Sequence, residues 1–290
     1  MTAACAAGVD TGFVTLGYGK VAVLGVVQGI TELLPISSTA HMRVVPALLG
    51  WRDPGSAFSA IMQLAALAAV VSYLWQDVRR LAVGSLSALG EQNFAGRELS
   101  LAIWIALATI PIGVAGLTLS DALNACRSPL RALPVIGWAC VAMGALMALT
   151  EVFAGHRRSL ENGTLMDALL IGFAQVGALI PGVSRSGSTL TAALGLGFKR
   201  EEAARFSFLL GIPAIALAGA KEFWALHGAG LDLHGWSVLA LGLVTASVSA
   251  FAAIWTLMHV LERFSAWPFV VYRVAFGTFL LLAVSQGVVG

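Results

Sequence analysis

Long apolar runs recur along the whole chain, and they limit what it can fold into more than any other feature. Residues 57–75, 99–119, 133–153, 203–220, 236–259 and 268–286 each read as one apolar segment. Each is long enough to cross a bilayer as a helix, which takes roughly 17–25 residues. Charged residues make up only 11% of the chain, against about 25% in an ordinary soluble domain. A chain of this kind is an integral membrane protein, and its spans are helical because lipid leaves no backbone N–H or C=O a partner outside its own segment. The net charge of +2 gives no footprint for nucleic acid. The glycines are scattered, as close helix packing in lipid requires. Cys5, Cys126 and Cys140 have no metal-like spacing and no obvious pairing, and read as inert packing residues or free surface thiols. The N-terminus lacks the basic, apolar and small-residue pattern of a removable signal peptide.

Two stretches break the apolar pattern in the same way. Residues 25–49 read GVVQGITELLPISSTAHMRVVPALL, and residues 171–195 read IGFAQVGALIPGVSRSGSTLTAALG. Each is an apolar half ending near a proline, then a hydroxyl-rich tip, then a second apolar half. Residues 18–34 are too short for a full span, Pro35 cannot continue a helix, and Ser37, Ser38 or Thr39 offers an N-cap for a new one. Such a backbone is tolerated at membrane depth only where it lines a cavity or is buried in protein. The predicted architecture is therefore all-α, a single membrane domain over 1–290 with six transmembrane helices and two re-entrant helical hairpins, 18–50 and 165–197. The hairpins open two halves of an inverted-topology repeat, about 18–120 and about 165–259, which points to a binding site at the midplane. Setting Pro35 on Pro181 places Ser38 on Ser184 and leaves Phe58-Ser59 and Phe206-Ser207 two positions out of register. Residues 77–98 read as a polar connection. Arg273, inside the last span, reads as a snorkelling side chain, and Lys221 and Glu222 as interfacial.

Charge orients this topology. Arg79, Arg80, Arg97, Arg157, Arg158, Lys199, Arg200, Arg205 and Arg263 fall on one side, and Lys20, Arg43, Arg52, Arg127, Arg131 and Lys221 on the other. The positive-inside rule makes the first side cytoplasmic. Both termini then lie outside, and the two hairpin tips meet near the middle from opposite faces.

The tips carry the chemistry. Gln28 and Glu32 share one face of the first short helix, and Ser38 and His41 one face of the second. An acidic side chain inside a membrane is costly and is a functional candidate by default. The second tip supplies Ser184, Arg185 and Ser186, with Thr189 one turn after Arg185. Helix N-termini and an arginine fork suit phosphate oxygens. A carboxylate, an imidazole and hydroxyls beside them suit phosphoryl transfer. The structural alternatives are a Glu32–Arg185 ion pair that holds the hairpins together, and Ser37, Ser186 and Ser188 bonded to their own backbone.

The run Gln28-Gly-Ile-Thr-Glu32 followed by Leu-Pro-Ile-Ser-Ser-Thr-Ala-His41 resembles the first signature of the undecaprenyl-diphosphate phosphatase family, also called the bacitracin-resistance family. Pro181-Gly-Val-Ser-Arg-Ser-Gly-Ser-Thr189 resembles its second. The resemblance extends over nearly the whole chain, including Lys199-Arg-Glu-Glu202 and Tyr272-Arg273. It implies a bacterial inner-membrane hydrolase that converts undecaprenyl diphosphate to undecaprenyl phosphate and so recycles the lipid carrier of peptidoglycan synthesis, with a site opening toward the periplasm. It implies that Glu32, Ser38, His41 and Arg185 are catalytic and that Ser37, Thr39, Ser184, Ser186 and Thr189 bind phosphate. A divalent cation, Mg2+ or Ca2+, is implied at Glu32 and Gln28. Gln28 stands where the family often has Glu, and Ala40 where it usually has Gly. A homodimer is left open, and so is the nucleophile: Ser38, His41 or water. The competing class is a lipid-carrier translocase or other anion transporter, because broken helices in an inverted repeat are also transporter architecture. Transport has no need of Glu32 beside Ser38 and His41.

Overall fold

A computed structural model describes residues 11–119 and 129–289. Cys5, Cys126, Arg127 and most of the N-terminal tail lie outside those residues. Among the described residues the chain is helical throughout, with no strand beyond a lone backbone bridge between Arg158 and Phe198. The helices are α1 (Gly17–Leu33), α2 (Ser38–Leu48), α3 (Ser56–Ile61), α4 (Gln63–Tyr73), α5 (Trp75–Gly90), α6 (Arg97–Thr118), α7 (Leu133–Phe153), α8 (Leu165–Val176), α9 (Arg185–Gly195), α10 (Arg200–Gly228), α11 (Leu233–Arg263) and α12 (Trp267–Ser285).

Among the described residues six helical segments are long and apolar enough to cross a membrane, and the bent pair over Ala57–Tyr73 and Trp75–Gly90 adds a seventh if it is one span. Five of them, α6, α7, α10, α11 and α12, match the sequence reading. The sixth is Gly12–Leu33, 22 residues, in which a 3-10 turn over Gly12–Leu16 lengthens α1 beyond what the apolar run alone suggested. Residues 57–75 are not one straight span. A turn at Met62 separates α3 from α4, and the chain then bends by 80° into α5. The expected polar connection is thus largely helix. Its Gln, Arg, Leu and Ala residues are good helix formers whatever their polarity.

Local sequence explains the two broken helices. Leu34 is extended, as a residue before proline prefers, and α1 stops there. Ser37 then caps α2 and accepts the Ala40 N–H at 3.4 Å. In the second stretch Thr164 and Asp167 form a capping box that starts α8, and Ser184 caps α9 by accepting the Gly187 N–H at 3.1 Å. Both capping serines have left-handed φ, 76° at Ser37 and 74° at Ser184. L-residues with side chains seldom hold that conformation, and it concentrates at functional sites. Set cap on cap, Ser184 falls on Ser37 and Arg185 on Ser38, one position from the alignment on the prolines. Gln175 then matches Gln28, Gly182 matches Pro35, and the Phe-Ser pairs fall one position out rather than two.

The packing pairs helices that are distant in sequence. Helix α1 lies along α11, and α8 lies along α6. Matching glycines permit both approaches. A Cβ at Gly25 would lie 2.6 Å from the Gly242 carbonyl oxygen, and one at Gly172 would lie 2.2 Å from the Ala108 oxygen. Small residues drive helix association in lipid, where close backbone contact replaces the hydrophobic force. Helices α7 and α12 form a separate pair that packs beside α2 and α9.

Candidate active site

The two tips touch. The Ser186 hydroxyl donates to the carbonyls of Glu32 and Leu34, each at 3.2 Å, and the Gly182 N–H donates to Thr39 Oγ1 at 3.5 Å. The open N-termini of α2 and α9 are thereby brought together, and both offer unpaired N–H groups and a partial positive charge.

Glu32 and Ser38 form the centre. The Ser38 hydroxyl donates to Glu32 Oε2 at 2.5 Å, and Gln28 Nε2 donates to the same oxygen at 2.9 Å. Both glutamate neighbours thus lie on one oxygen. The other, Oε1, faces Arg185 Nη2 at 3.6 Å. Glu32 is only 5% exposed. The Arg185 guanidinium is more unusual, because all three of its nitrogens are buried and none has a hydrogen-bond partner among the described residues. An orphaned buried donor costs about 1–3 kcal/mol, more when charged. An anion in the adjacent cavity, which Arg185 lines, would supply acceptors. Gly211 of α10 creates the room, since a Cβ there would lie 1.9 Å from Arg185 Nη1.

That cavity has a volume of about 520 Å³. Glu32, Ser38, Thr39, Ser184 and Arg185 line its floor. Ile112, Gly113, Gly116 and Leu117 of α6 face Leu217 and Ala218 of α10 along its apolar wall. Arg43, Asp53, Arg131, Lys221 and Glu222 line it as well. Lys221 and Glu222, expected at the interface, therefore also border the site. Of the sequence candidates, Gln28, Ser37, His41, Ser186 and Thr189 do not line the cavity. Ser37 caps α2, Ser186 joins the tips, and Thr189 donates to the Arg185 carbonyl at 2.9 Å while its hydroxyl also meets that of Ser207. Ser188 bonds its own backbone, at 3.0 Å to the Arg185 oxygen, as the structural alternative anticipated.

His41 points away from Ser38, toward α12. Its Nδ1 lies 2.8 Å from the Ser37 carbonyl and its Nε2 lies 2.6 Å from the Tyr272 hydroxyl. A carbonyl only accepts, so Nδ1 carries a hydrogen and donates to it. The ring stacks on Phe276, with centroids 4.3 Å apart. Both imidazole nitrogens are thus already engaged.

Arg273 overturns its sequence reading. It is 0% exposed and does not snorkel. Its guanidinium donates to the carbonyls of Pro35 at 2.8 Å, Gly182 at 2.7 Å and Val183 at 3.0 Å. A charged residue in the middle of an apolar run was signal enough to mark it as functional; its place in the run was mistaken for nearness to the surface. Gly211 gave no signal, because its role exists only against Arg185.

No group of three or more His, Cys, Asp or Glu residues close enough to hold a metal ion occurs among the described residues. Glu32 is the carboxylate at the floor, with Gln28 beside it. That donor set suits Mg2+ only in the manner of phosphate-transfer sites, where one or two carboxylates bind the ion and substrate oxygens supply other ligands.

Residues 21–279 match the bacitracin resistance protein BacA family. The chain is 72% identical over 260 residues to "Undecaprenyl-diphosphatase 2" of Mesorhizobium japonicum, covering 90% of this chain and 98% of that one. It is 47% identical over 266 residues to "Undecaprenyl-diphosphatase" of Synechococcus elongatus, covering 91% and 92%. To the protein of the same name in Gloeobacter violaceus it is 48% identical over 272 residues, covering 94% and 93%.

Proposed function

The chain belongs to the bacitracin resistance protein BacA family, and we propose that it hydrolyses undecaprenyl diphosphate to undecaprenyl phosphate and inorganic phosphate. One observation carries the chemistry: a serine hydroxyl 2.5 Å from a buried carboxylate faces the same cavity as an arginine fork whose donors are all unmet. The apolar wall between α6 and α10 gives the prenyl chain a route to the bilayer.

The terminal phosphate sits against Arg185 and the N-termini of α2 and α9, with Thr39 and Ser184 donating to its oxygens. Glu32 takes the proton of Ser38 as Oγ forms a bond to the terminal phosphorus. The bond from that phosphorus to the bridging oxygen breaks, and its electron pair leaves with undecaprenyl phosphate, which also accepts the proton from Glu32. Water then attacks the phosphoserine as Glu32 takes one of its protons; the bond from phosphorus to Ser38 Oγ breaks, Glu32 returns that proton to Oγ, and inorganic phosphate leaves. Arg185 stabilises charge as it builds on the transferring group. Gln28, Ser37, Ser186 and Thr189 act by fixing Glu32 and the caps, and His41 by holding the Ser37 carbonyl. A divalent cation, Mg2+ or Ca2+, would be held by Glu32 and the phosphate oxygens, with Gln28 at its edge. It would neutralise phosphate charge.

We read α1–α2 and α8–α9 as re-entrant hairpins opening two inverted halves, about 18–120 and 165–259, of one domain in the inner membrane. The paired breaks and the matching caps support this, and the charge distribution supports a site open toward the periplasm. A homodimer would show as molar mass in detergent.

Phosphate release from undecaprenyl diphosphate by the detergent-purified protein tests the reading, because transport has no meaning there. Acid-quench trapping of a labelled phosphoenzyme, mapped to Ser38, tests the nucleophile. A protein inert in that assay would return the site to the transporter class.

A further inference from the structure

Arg273 is wholly buried in α12, forms no ion pair among the described residues, and takes no part in the mechanism above. An unpaired charge in a membrane interior is costly, so its bonding partners indicate what it is kept for. They are backbone carbonyls, one from the first tip and two from the second. Pro35 lies two residues before the cap Ser37, and Gly182 two residues before the cap Ser184. The two nitrogens of one guanidinium therefore hold equivalent carbonyls of the two tips, at 2.8 and 2.7 Å. Those carbonyls lie in the breaks between helices, where no helical N–H can reach them. The clasp also lies against the first turn of α9, since a Cβ at Gly187 would be 3.0 Å from Arg273 Nη1. The preceding residue, Tyr272, holds the first tip a second time through His41 and the Ser37 carbonyl.

We propose that Tyr272 and Arg273 are positioning residues, a two-pronged clasp from α12 that sets the spacing of the two tips and hence of Ser38 against Arg185. The planar fork is essential, because a guanidinium can bond two carbonyls in fixed directions and an ammonium cannot. Neither residue touches the cavity, so the clasp acts on transition-state geometry and leaves ground-state binding nearly intact. This rests on the phosphatase reading.

The experiment compares wild type, Arg273→Lys and Tyr272→Phe in detergent by kcat and KM for undecaprenyl diphosphate, by melting temperature, and by backbone hydrogen exchange over residues 33–41 and 180–187. Arg273→Lys should lower kcat on the order of 10²-fold, the scale of a 1 Å misplacement. Its KM should stay within about threefold, since the lost interaction belongs to the transition state. Exchange should rise at both tips. Tyr272→Phe removes a single hydroxyl and should lower kcat about tenfold, within the range of one lost orienting contact, with exchange rising at the first tip only. A folded Arg273→Lys with wild-type kcat overturns the clasp, and so does a kcat loss matched by an equal rise in KM. Should Arg273→Lys fail to fold, Tyr272→Phe decides alone, and wild-type kcat there overturns it. A wild-type protein without phosphatase activity would sink the functional reading instead, and the exchange measurements would still test the clasp.

Discussion

Alanine at Gly211 should inactivate the protein without unfolding it. The added Cβ would lie 1.9 Å from Arg185 Nη1, 2.7 Å from Cζ and 3.2 Å from Nη2. Ordinary contact starts at 3.4 Å, so Nη1 must retreat by 3.4 − 1.9 = 1.5 Å. No hydrogen bond holds the guanidinium where it is, only the 3.6 Å ion pair with Glu32, so it shifts and weakens that pair. Helix propensity favours alanine over glycine inside α10 by roughly 1 kcal/mol, which protects stability. The guanidinium, however, leaves the position from which it meets the phosphate, and a 1 Å misplacement costs on the order of 10²-fold in rate. We expect kcat for phosphate release to fall by about that factor or more while the melting temperature stays near wild type. Gly228→Ala is the control in the same helix, since nothing lies within 4 Å of a Cβ there, and its kinetics should not change. A Gly211→Ala protein with kcat within about threefold of wild type would refute the claim that Arg185 works from this position.

Arg185→Lys keeps the charge and loses the fork, and should cost about 10²–10³-fold in kcat, as for removal of a preorganised donor; near-normal turnover would reduce Arg185 to an ion-pair partner of Glu32. Glu32→Gln and Ser38→Ala should each cost about 10³-fold or more, and the double variant little beyond either, because residues acting as one unit are not additive. His41→Ala should be milder than Ser38→Ala, and the reverse order in steady-state assays would move the nucleophile to His41 or water. Removal of divalent cations with a chelator should abolish phosphate release, and Mg2+ or Ca2+ should restore it; turnover that persists in excess chelator would count against a metal at Glu32. Cysteines placed singly at Arg79 and Gly230 should react with an impermeant thiol reagent from opposite faces of oriented vesicles, and labelling of both from one face would sink the topology.

Much of this molecule was legible without coordinates. Lipid is a uniform solvent that forbids unpaired backbone, so hydropathy alone located five of the six long spans and the helical class. Proline breaks and hydroxyl caps act within a few residues, and they located both tips. Glu32 and Arg185 were conspicuous as charges inside apolar runs. Tertiary contacts decided the rest. The helix after the bend at Leu74 was missed because polarity was read as irregularity, whereas polar helix formers remain helical. Which serine of each tip adopts the capping φ, Ser37 and Ser184, was decided by the folded backbone, a choice that neighbouring serines leave open in sequence. His41 lies on the face of α2 expected for it, but only Tyr272 and Phe276, more than 200 positions away, turn its ring from the cavity. Arg273 meets Pro35 across 238 positions. Hydropathy could register that a charge was buried there, but not that the backbone carbonyls of two broken helices would be its partners.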